Sequence, residues 1–155
     1  EQRGMDCQIR KRLPHDRPGW VDERDAIFLT FCGQPRRLNQ FATDHAWGNI
    51  VEEALHQERQ GRWSPLLILS MPDHLHLVAV IPSHAGIRAT GRLFKRGLAT
   101  RLNCSWQKNF FDHRIRNPAS FREKWAYILM NPGRAGLLHA GTVWPYVWTK
   151  DWNQG

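Results

Sequence analysis

Two apolar, β-prone runs separated by only two residues constrain the fold of this chain more than any other feature. The runs span residues 63–71 and 74–81, and Pro72 and Asp73 join them. A connection this short suits an antiparallel hairpin, whereas parallel neighbours need a long crossover. The sequence therefore predicts an antiparallel sheet that contains this hairpin.

The second run of the hairpin carries two histidines, His74 and His76. Side chains two residues apart on a strand leave the same face, so the two imidazoles are predicted to lie side by side on a rigid element. Such a pair can hold a divalent metal ion with coordination positions left open. Ordinary histidines that hydrogen-bond in the core or at its rim explain the motif equally well.

The remaining elements follow from hydrophobic periodicity and from residues that begin or end helices. The sequence predicts a strand at 26–32, a helix from Thr43 or Asp44 to about Gln60, a helix at 87–102, a strand at 110–115 and a last helix opened by Asn117 and Pro118. The resulting order is β-α-β-β-α-β-α. We expect an α+β domain in which helices pack on one face of an antiparallel sheet.

Composition sets the domain organisation and the compartment. Residues 1–24 are rich in Arg and Lys and lack a sustained apolar period, which predicts a partly disordered basic arm before a single domain at 25–155. No apolar run approaches the roughly 20 residues that cross a bilayer, so we expect a cytoplasmic, nucleoid-associated protein with no membrane partner. Cys7, Cys32 and Cys104 are odd in number and far apart, which favours reduced thiols.

An excess of positive charge indicates a polyanionic partner. Lys and Arg number 22 against 14 Asp and Glu, a formal net charge of +8. Nucleic acid is favoured over a membrane surface because no basic amphipathic helix has an obvious lipid-facing side. Candidate phosphate contacts lie on the helix at 87–102, although a basic helix face can simply be solvated. They are Arg92, Lys95, Arg96 and Arg101.

The last helix places a tyrosine away from its apolar stripe. Tyr127 and Asn131 lie four residues apart on one flank and are predicted to project together. Because a residue before proline avoids the helical region, the helix is expected to end or kink at Asn131, before Pro132. A surface tyrosine and an asparagine at a helix end are the alternative reading of this helix.

Three segments resemble a known family. The His-Leu-His motif at 74–76 is similar to the His-hydrophobe-His motif of the HUH single-strand endonucleases. Residues 106–116 begin with Trp-Gln and contain Asp-His, and residues 127–137 begin with Tyr and contain Asn-Pro one helical turn later. In this order the segments resemble the REP-associated tyrosine transposases and related insertion-sequence transposases. The resemblance extends from about residue 20 to residue 148.

The resemblance implies a fold and a set of residue roles. It implies a ferredoxin-like antiparallel sheet with helices, a metal-binding pair at His74 and His76, a third ligand at Asn131 and a nucleophile at Tyr127. Mg²⁺ or Mn²⁺ would be the working ion, although Zn²⁺, Ni²⁺ or Co²⁺ could occupy the same donors. His113 and Arg134 are further candidate DNA contacts, and a structural hydrogen bond is the alternative for His113.

Two smaller features of the sequence bear on the same resemblance. Asp73 stands where many relatives carry Asn, and a hairpin turn tolerates either residue. The closing segment at 144–148 resembles the Trp-Pro-Tyr segment of the family and is expected to pack against the sheet.

The function implied is a metal-dependent single-stranded DNA endonuclease and strand transferase. Tyr127 would form a 5′-phosphotyrosine intermediate on hairpin-forming DNA, and a monomer is favoured over a homodimer. A domesticated DNA-binding protein with little cleavage activity is one alternative. A phosphoesterase of the histidine-triad kind is a second alternative. The third histidine of that motif is missing here, because Val78 occupies its position.

Other catalytic signatures are missing from the sequence. It contains no P-loop, no nicotinamide fingerprint and no carboxylate pair typical of a two-metal nuclease. Glu52, Glu53 and Glu123 are dispersed and are expected to face solvent.

Overall fold

The computed structural model describes residues 26–151 and contains six strands and three helices within that range. In chain order these are β1 (Ala26–Gln34), α1 (Asp44–Arg59), β2 (Ser64–Ser70), β3 (His74–Val80), α2 (Ile87–Leu102), β4 (Ser105–Trp106), β5 (Phe111–Arg114), α3 (Pro118–Arg134) and β6 (Val147–Thr149). The predicted basic arm at 1–24 lies outside the described residues. None of the three helices is long and apolar enough to span a membrane.

The sheet is antiparallel, and its strand order is β4-β1-β3-β2-β6 with β5 also paired to β1. The predicted hairpin is confirmed, because β2 and β3 pair with Ser64 opposite Val80 and Ser70 opposite Leu75. On its other side β3 pairs with β1 over the whole length from Ala26 to Cys32. The predicted α+β class and the antiparallel sheet are therefore confirmed.

Helices cover both faces of the sheet, which differs from the prediction of helices on one face. Helices α1 and α2 pack on one face, where Ile50 and Phe94 belong to the same core cluster as Leu77. Helix α3 packs on the opposite face, where Trp125 shares a cluster with Val78. The reason lies in β2 and β3, which carry apolar side chains on both faces, are buried at nearly every position and therefore need cover on both sides.

Helix α3 begins where the sequence predicts and ends later. The Asn117 side chain caps it by accepting a hydrogen bond from the Ser120 amide at 2.8 Å. Of the two outcomes expected at Asn131, an end or a kink, the end does not occur, since the helix continues to Arg134 with Pro132 buried inside it. Proline removes only its own N–H, and the next turn still forms through a 2.9 Å bond from the Ala135 amide to the Asn131 carbonyl.

Two short strands, β4 and β6, were not predicted as strands. With two and three residues they are too short to show a period in the sequence. Strand β6 pairs with β2, and the Trp144 indole donates to the Ser70 carbonyl at 2.8 Å. The expectation that the closing segment packs against the sheet is therefore confirmed.

Glu53 is buried between α1 and α2, contrary to the expectation that it faces solvent. It is 3% exposed. Its carboxylate accepts hydrogen bonds from the Gln57 amide at 2.7 Å and from Nε of Arg101 at 2.8 Å. The burial is possible because Gly97 of α2 has no side chain at this point, and a Cβ there would overlap the carboxylate.

Candidate functional site

The two histidines of β3 lie on the face of the sheet that α3 covers. The pairing of β3 with β1 sets His74 opposite Cys32 and His76 opposite Thr30. The two imidazole ring centroids are 4.8 Å apart, with the rings nearly perpendicular. His76 is 5% exposed, whereas His74 is half-buried at the end of the strand. The predicted side-by-side arrangement of the two rings is therefore present.

Each histidine is oriented by a hydrogen bond at Nδ1. His74 Nδ1 lies 2.8 Å from Oδ1 of Asp73, and His76 Nδ1 lies 3.0 Å from Oγ1 of Thr30. Within residues 26–151, Nε2 of neither ring takes part in a hydrogen bond. In the tautomer with the proton on Nδ1, both Nε2 lone pairs are available to a cation, which is how histidine ligands are usually held.

The charges around the pair favour a neutral His76 and an ionised Asp73. Burial, together with the nearby charge of His74, lowers the pKa of His76 to about 3. Burial alone would raise the pKa of Asp73, but hydrogen bonds from His74 and the Arg37 amide and the charge of Arg36 outweigh it, so that pKa is lowered. The neutral imidazole is the form that binds a metal ion, and burial holds His76 in that form.

Tyr127 extends from α3 toward the histidines. The centroid of its ring lies 6.3 Å from that of His76 and 6.3 Å from that of Phe28. The Tyr127 side chain is 43% exposed, so its ring is open to solvent on one side. The Arg134 guanidinium lies 5.2 Å from the centre of the tyrosine ring. The structure thus brings together Phe28, His76 and Tyr127, which are distant in sequence. Arg134 adds a positive charge beside the phenol.

Asn131 lies one helical turn after the tyrosine. Its side-chain amide donates to the Tyr127 carbonyl at 3.4 Å, and it makes no hydrogen bond to either histidine within the described residues. No cluster of three His, Cys, Asp or Glu side chains suited to a metal ion occurs in residues 26–151. The donors that fit a cation are therefore the two imidazoles, which would need an additional ligand such as the Asn131 amide oxygen.

The candidate DNA contacts on α2 separate into different environments. Arg92 and Lys95 line a pocket of about 360 Å³ together with Arg88 and Lys108. Lys95 also donates to the Gln107 carbonyl at 2.7 Å, and burial lowers its pKa.

The other candidate DNA contacts lie outside this pocket. Arg96 is exposed on α2, and Arg101 is bound to the buried Glu53. On the face of the histidines, His113 lies on β5 directly opposite Phe28, and Arg134 lies beside Tyr127. The structure therefore gives Arg101 a structural partner and brings His113 and Arg134 near the candidate site.

Sequence reasoning gave three residues of this site no role in it. Thr30 orients His76, Asp73 orients His74 and binds Arg36 at 3.0 Å, and Phe28 stacks on His76 with 5.5 Å between ring centroids. Thr30 and Phe28 alternate with buried residues on β1, which shows that they share a face. The register between β1 and β3 decides which residues Thr30 and Phe28 contact, and no local pattern in the sequence indicates that register.

The chain was compared with known proteins in sequence and in structure. No family model matches it. A REP-associated tyrosine transposase from Escherichia coli (strain K12) is 29% identical over 79 residues, which are 49% of this chain and 48% of that protein. The matched region therefore spans about half the length of this curated relative.

Two solved structures share the fold. A REP-associated tyrosine transposase bound to a REP hairpin superposes with a TM-score of 0.66 at 19% identity, over 89% of this chain and 93% of that chain. A protein described as a transposase from Deinococcus radiodurans R1 gives a TM-score of 0.54 at 14% identity, over 80% of this chain and 98% of that chain.

The antiparallel sheet and its helices define an α+β fold that transposase structures share. The match in sequence and the match in structure both point to REP-associated tyrosine transposases. The resemblance of this chain to the REP-associated tyrosine transposases is confirmed.

Proposed function

We propose that this domain nicks and rejoins single-stranded DNA through a covalent tyrosine intermediate. One observation carries the proposal. The exposed Tyr127 ring lies 6.3 Å from His76, whose neighbour His74 presents a second imidazole on the same face. A nucleophile beside two potential metal ligands is an arrangement suited to phosphodiester transfer.

DNA is the substrate that the charge and the relatives support. The chain has a net charge of +8, and a solved structure with the same fold is bound to a REP hairpin. A DNA-processing role also agrees with the transposase that matches in sequence. We infer that hairpin-forming DNA with a single-stranded segment is bound, by a monomer.

The residues of the site would divide the work as follows. His74, His76 and the Asn131 amide would hold a divalent ion, Mg²⁺ or Mn²⁺, while Asp73 and Thr30 keep the imidazoles in place. When bound, such an ion neutralises charge on the scissile phosphate and positions it for attack. A neutral His76 suits this role near neutral pH, because its pKa is lowered to about 3.

Cleavage is a transesterification that balances without ATP. The Tyr127 hydroxyl loses its proton and attacks phosphorus, the bond between phosphorus and the 3′ oxygen breaks, and the 5′ phosphate stays on the tyrosine. The leaving 3′ oxygen takes up a proton. Arg134, whose guanidinium lies 5.2 Å from the centre of the tyrosine ring, would place a positive charge near the phosphate that Tyr127 attacks. Attack by another 3′ hydroxyl on the phosphotyrosine then joins strands and frees Tyr127.

The test is a search for the covalent intermediate. Incubation with Mn²⁺ and a labelled hairpin oligonucleotide carrying a single-stranded tail should give a protein–DNA adduct that survives denaturing electrophoresis. Tyr127→Phe should remove the adduct and leave DNA binding in place, and His76→Ala should reduce it at least tenfold through loss of a metal ligand. Tyr146→Phe is the matched control, because Tyr146 bonds to Asp44 at 3.1 Å, outside the histidine pair.

The outcomes separate the candidate functions. An adduct that persists in Tyr127→Phe would rule out this nucleophile. DNA binding with no adduct in the unmodified protein would favour a domesticated DNA-binding protein. Hydrolysis of free nucleotides would favour a phosphoesterase of the histidine-triad kind.

A further inference from the structure

Phe111, the first residue of β5, is unusually exposed. Its side chain is 71% exposed, the largest value among the exposed large apolar residues in the described range. Four other phenylalanines, at 31, 41, 94 and 121, are fully buried. An aromatic ring in solvent contributes nothing to the core, and its area is available to a ligand.

The strand register places Phe111 on the face of the candidate site. Phe111 pairs with Thr30 of β1, and Thr30 pairs with His76 of β3. Directly opposed residues of antiparallel strands project from the same face. Phe111, Thr30 and His76 therefore form one row across the sheet, and adjacent strands in such a row are about 4.8 Å apart.

His113 continues the same surface along the strand. It is exposed and lies opposite Phe28, the residue that stacks on His76. The Lys124 ammonium of α3 lies 5.7 Å from the centre of the Phe28 ring, which adds a positive charge to this face. The face thus combines exposed rings with cationic groups, which is how proteins bind unpaired nucleotides.

The opposite face of β5 borders the basic pocket on α2. Asp112, the neighbour of Phe111 on the strand, lines that pocket with Arg88, Arg92 and Lys108. Strand β5 therefore separates two cationic surfaces. A chain of phosphates that follows both of them must cross this edge of the sheet next to Phe111.

We propose that Phe111 is a stacking platform for one unpaired base of the DNA strand that enters the histidine and tyrosine site. The proposal rests on the proposed function for its substrate. The base would lie on the exposed ring while its flanking phosphates contact the cationic groups on either side of β5. Stacking is independent of base identity, so Phe111 contributes affinity and position but little sequence preference.

A second copy of the chain is a poorer occupant of this surface. Edge strands with an exposed apolar residue can pair with another molecule. Here the surroundings are positively charged on both faces of β5, and a second copy would bring the same charges into contact. A polyanion meets no such repulsion.

The experiment measures DNA affinity in Tyr127→Phe protein with a chelator present, so that cleavage does not interfere whichever residue is the nucleophile. Fluorescence anisotropy would compare a hairpin with a single-stranded tail to the same hairpin with blunt ends. Phe111→Ala should weaken binding of the tailed hairpin about tenfold or more and leave the blunt hairpin unchanged. Phe111→Trp should restore affinity, while Phe111→Leu, which keeps apolar area without an aromatic face, should not.

An abasic scan of the tail locates the stacked base. One abasic position should weaken binding to the protein that carries Phe111 and have no effect on Phe111→Ala. Equal loss of tailed and blunt hairpin, rescue by leucine, or an abasic effect that persists in Phe111→Ala would each overturn the proposal. Sedimentation analysis measures the oligomeric state in parallel. A dimer that dissociates in Phe111→Ala would assign the surface to a second copy of the chain and overturn the proposal. Since adduct formation is not measured, these results do not depend on whether Tyr127 is the nucleophile.

Discussion

At the scale of single residues, the candidate site depends on partners that orient its two imidazoles and on burial that keeps His76 neutral. His76 is buried against Phe28 and bonded to Thr30, and His74 is bonded to Asp73. Burial of an imidazole disfavours its charged form, because the protein interior solvates the charge less well than water. The same burial makes the stability of the domain depend on pH.

We predict that part of this dependence disappears in His76→Gln. The folded-state pKa of His76 is about 3, below the ordinary value of 6.5. In acid the unfolded chain therefore takes up a proton at this position before the folded chain does. The stabilisation is complete above pH 6.5 and is lost as the pH falls toward 3, with a slope of up to about 1.4 kcal/mol per pH unit from this residue.

Urea unfolding at several pH values below 6.5, with a chelator present, checks this prediction. The wild-type free energy of unfolding should fall more steeply with acid than that of His76→Gln. Carboxylates titrate in both proteins and cancel in the difference. Parallel curves would contradict a lowered pKa at His76.

At the scale of secondary-structure elements, α1 and α2 meet around a buried charge. Glu53 is held by Gln57 and Arg101, and Gly97 provides the space for its carboxylate. A buried ion pair is weak evidence for stability, but disrupting one partner leaves an uncompensated charge. The contact bears on the proposed DNA binding, because α2 also carries the candidate phosphate contacts Arg92 and Lys95.

Alanine at two helical glycines should therefore change stability in opposite directions. In Gly97→Ala the new methyl group overlaps the Glu53 carboxylate, which its hydrogen bonds hold in place, so the free energy of unfolding should fall by about 1–3 kcal/mol. At Gly48 of α1 no atom lies within 4 Å of an added Cβ. Gly48→Ala should therefore raise the free energy of unfolding by about 0.5–1 kcal/mol. Urea denaturation measures both, and a neutral Gly97→Ala would show that Glu53 can move.

At the scale of the whole molecule, the charge of +8 is distributed over surfaces with different roles. The side chains of Arg88, Arg92 and Lys108 line an open pocket, whereas Arg101 binds Glu53 and Arg59 binds Glu52 at 2.9 Å. Only residues that neutralise phosphates contribute to the salt dependence of DNA binding. Net charge alone does not identify them.

Salt titrations of DNA affinity should distinguish these arginines. Arg92→Ala should weaken binding and reduce the slope of log K against log salt by about 0.7–0.9, the contribution of one phosphate contact. Arg59→Ala is the matched control on α1 and should leave the slope unchanged, because its charge already faces Glu52. An unchanged slope in Arg92→Ala would remove this pocket from the DNA path.

Local signals predicted much of the molecule and failed at identifiable places. The hairpin, the Asn117 cap and the helix at 87–102 were predicted correctly, because turn length, capping chemistry and periodicity act within a few residues. The helix end that was one of the two outcomes expected at Asn131 does not occur, because Pro132 is buried in the core and α3 continues to Arg134.

The sequence by itself determined the chemistry that this domain can offer. It placed two imidazoles on one strand face, a tyrosine outside an apolar helix stripe and an excess of positive charge, since each depends on residue type and local period alone. Tertiary structure decided the rest. Long-range contacts set the face that α3 covers, the register that pairs Thr30 with His76 and the burial of Glu53. These contacts depend on how complete elements pack against each other.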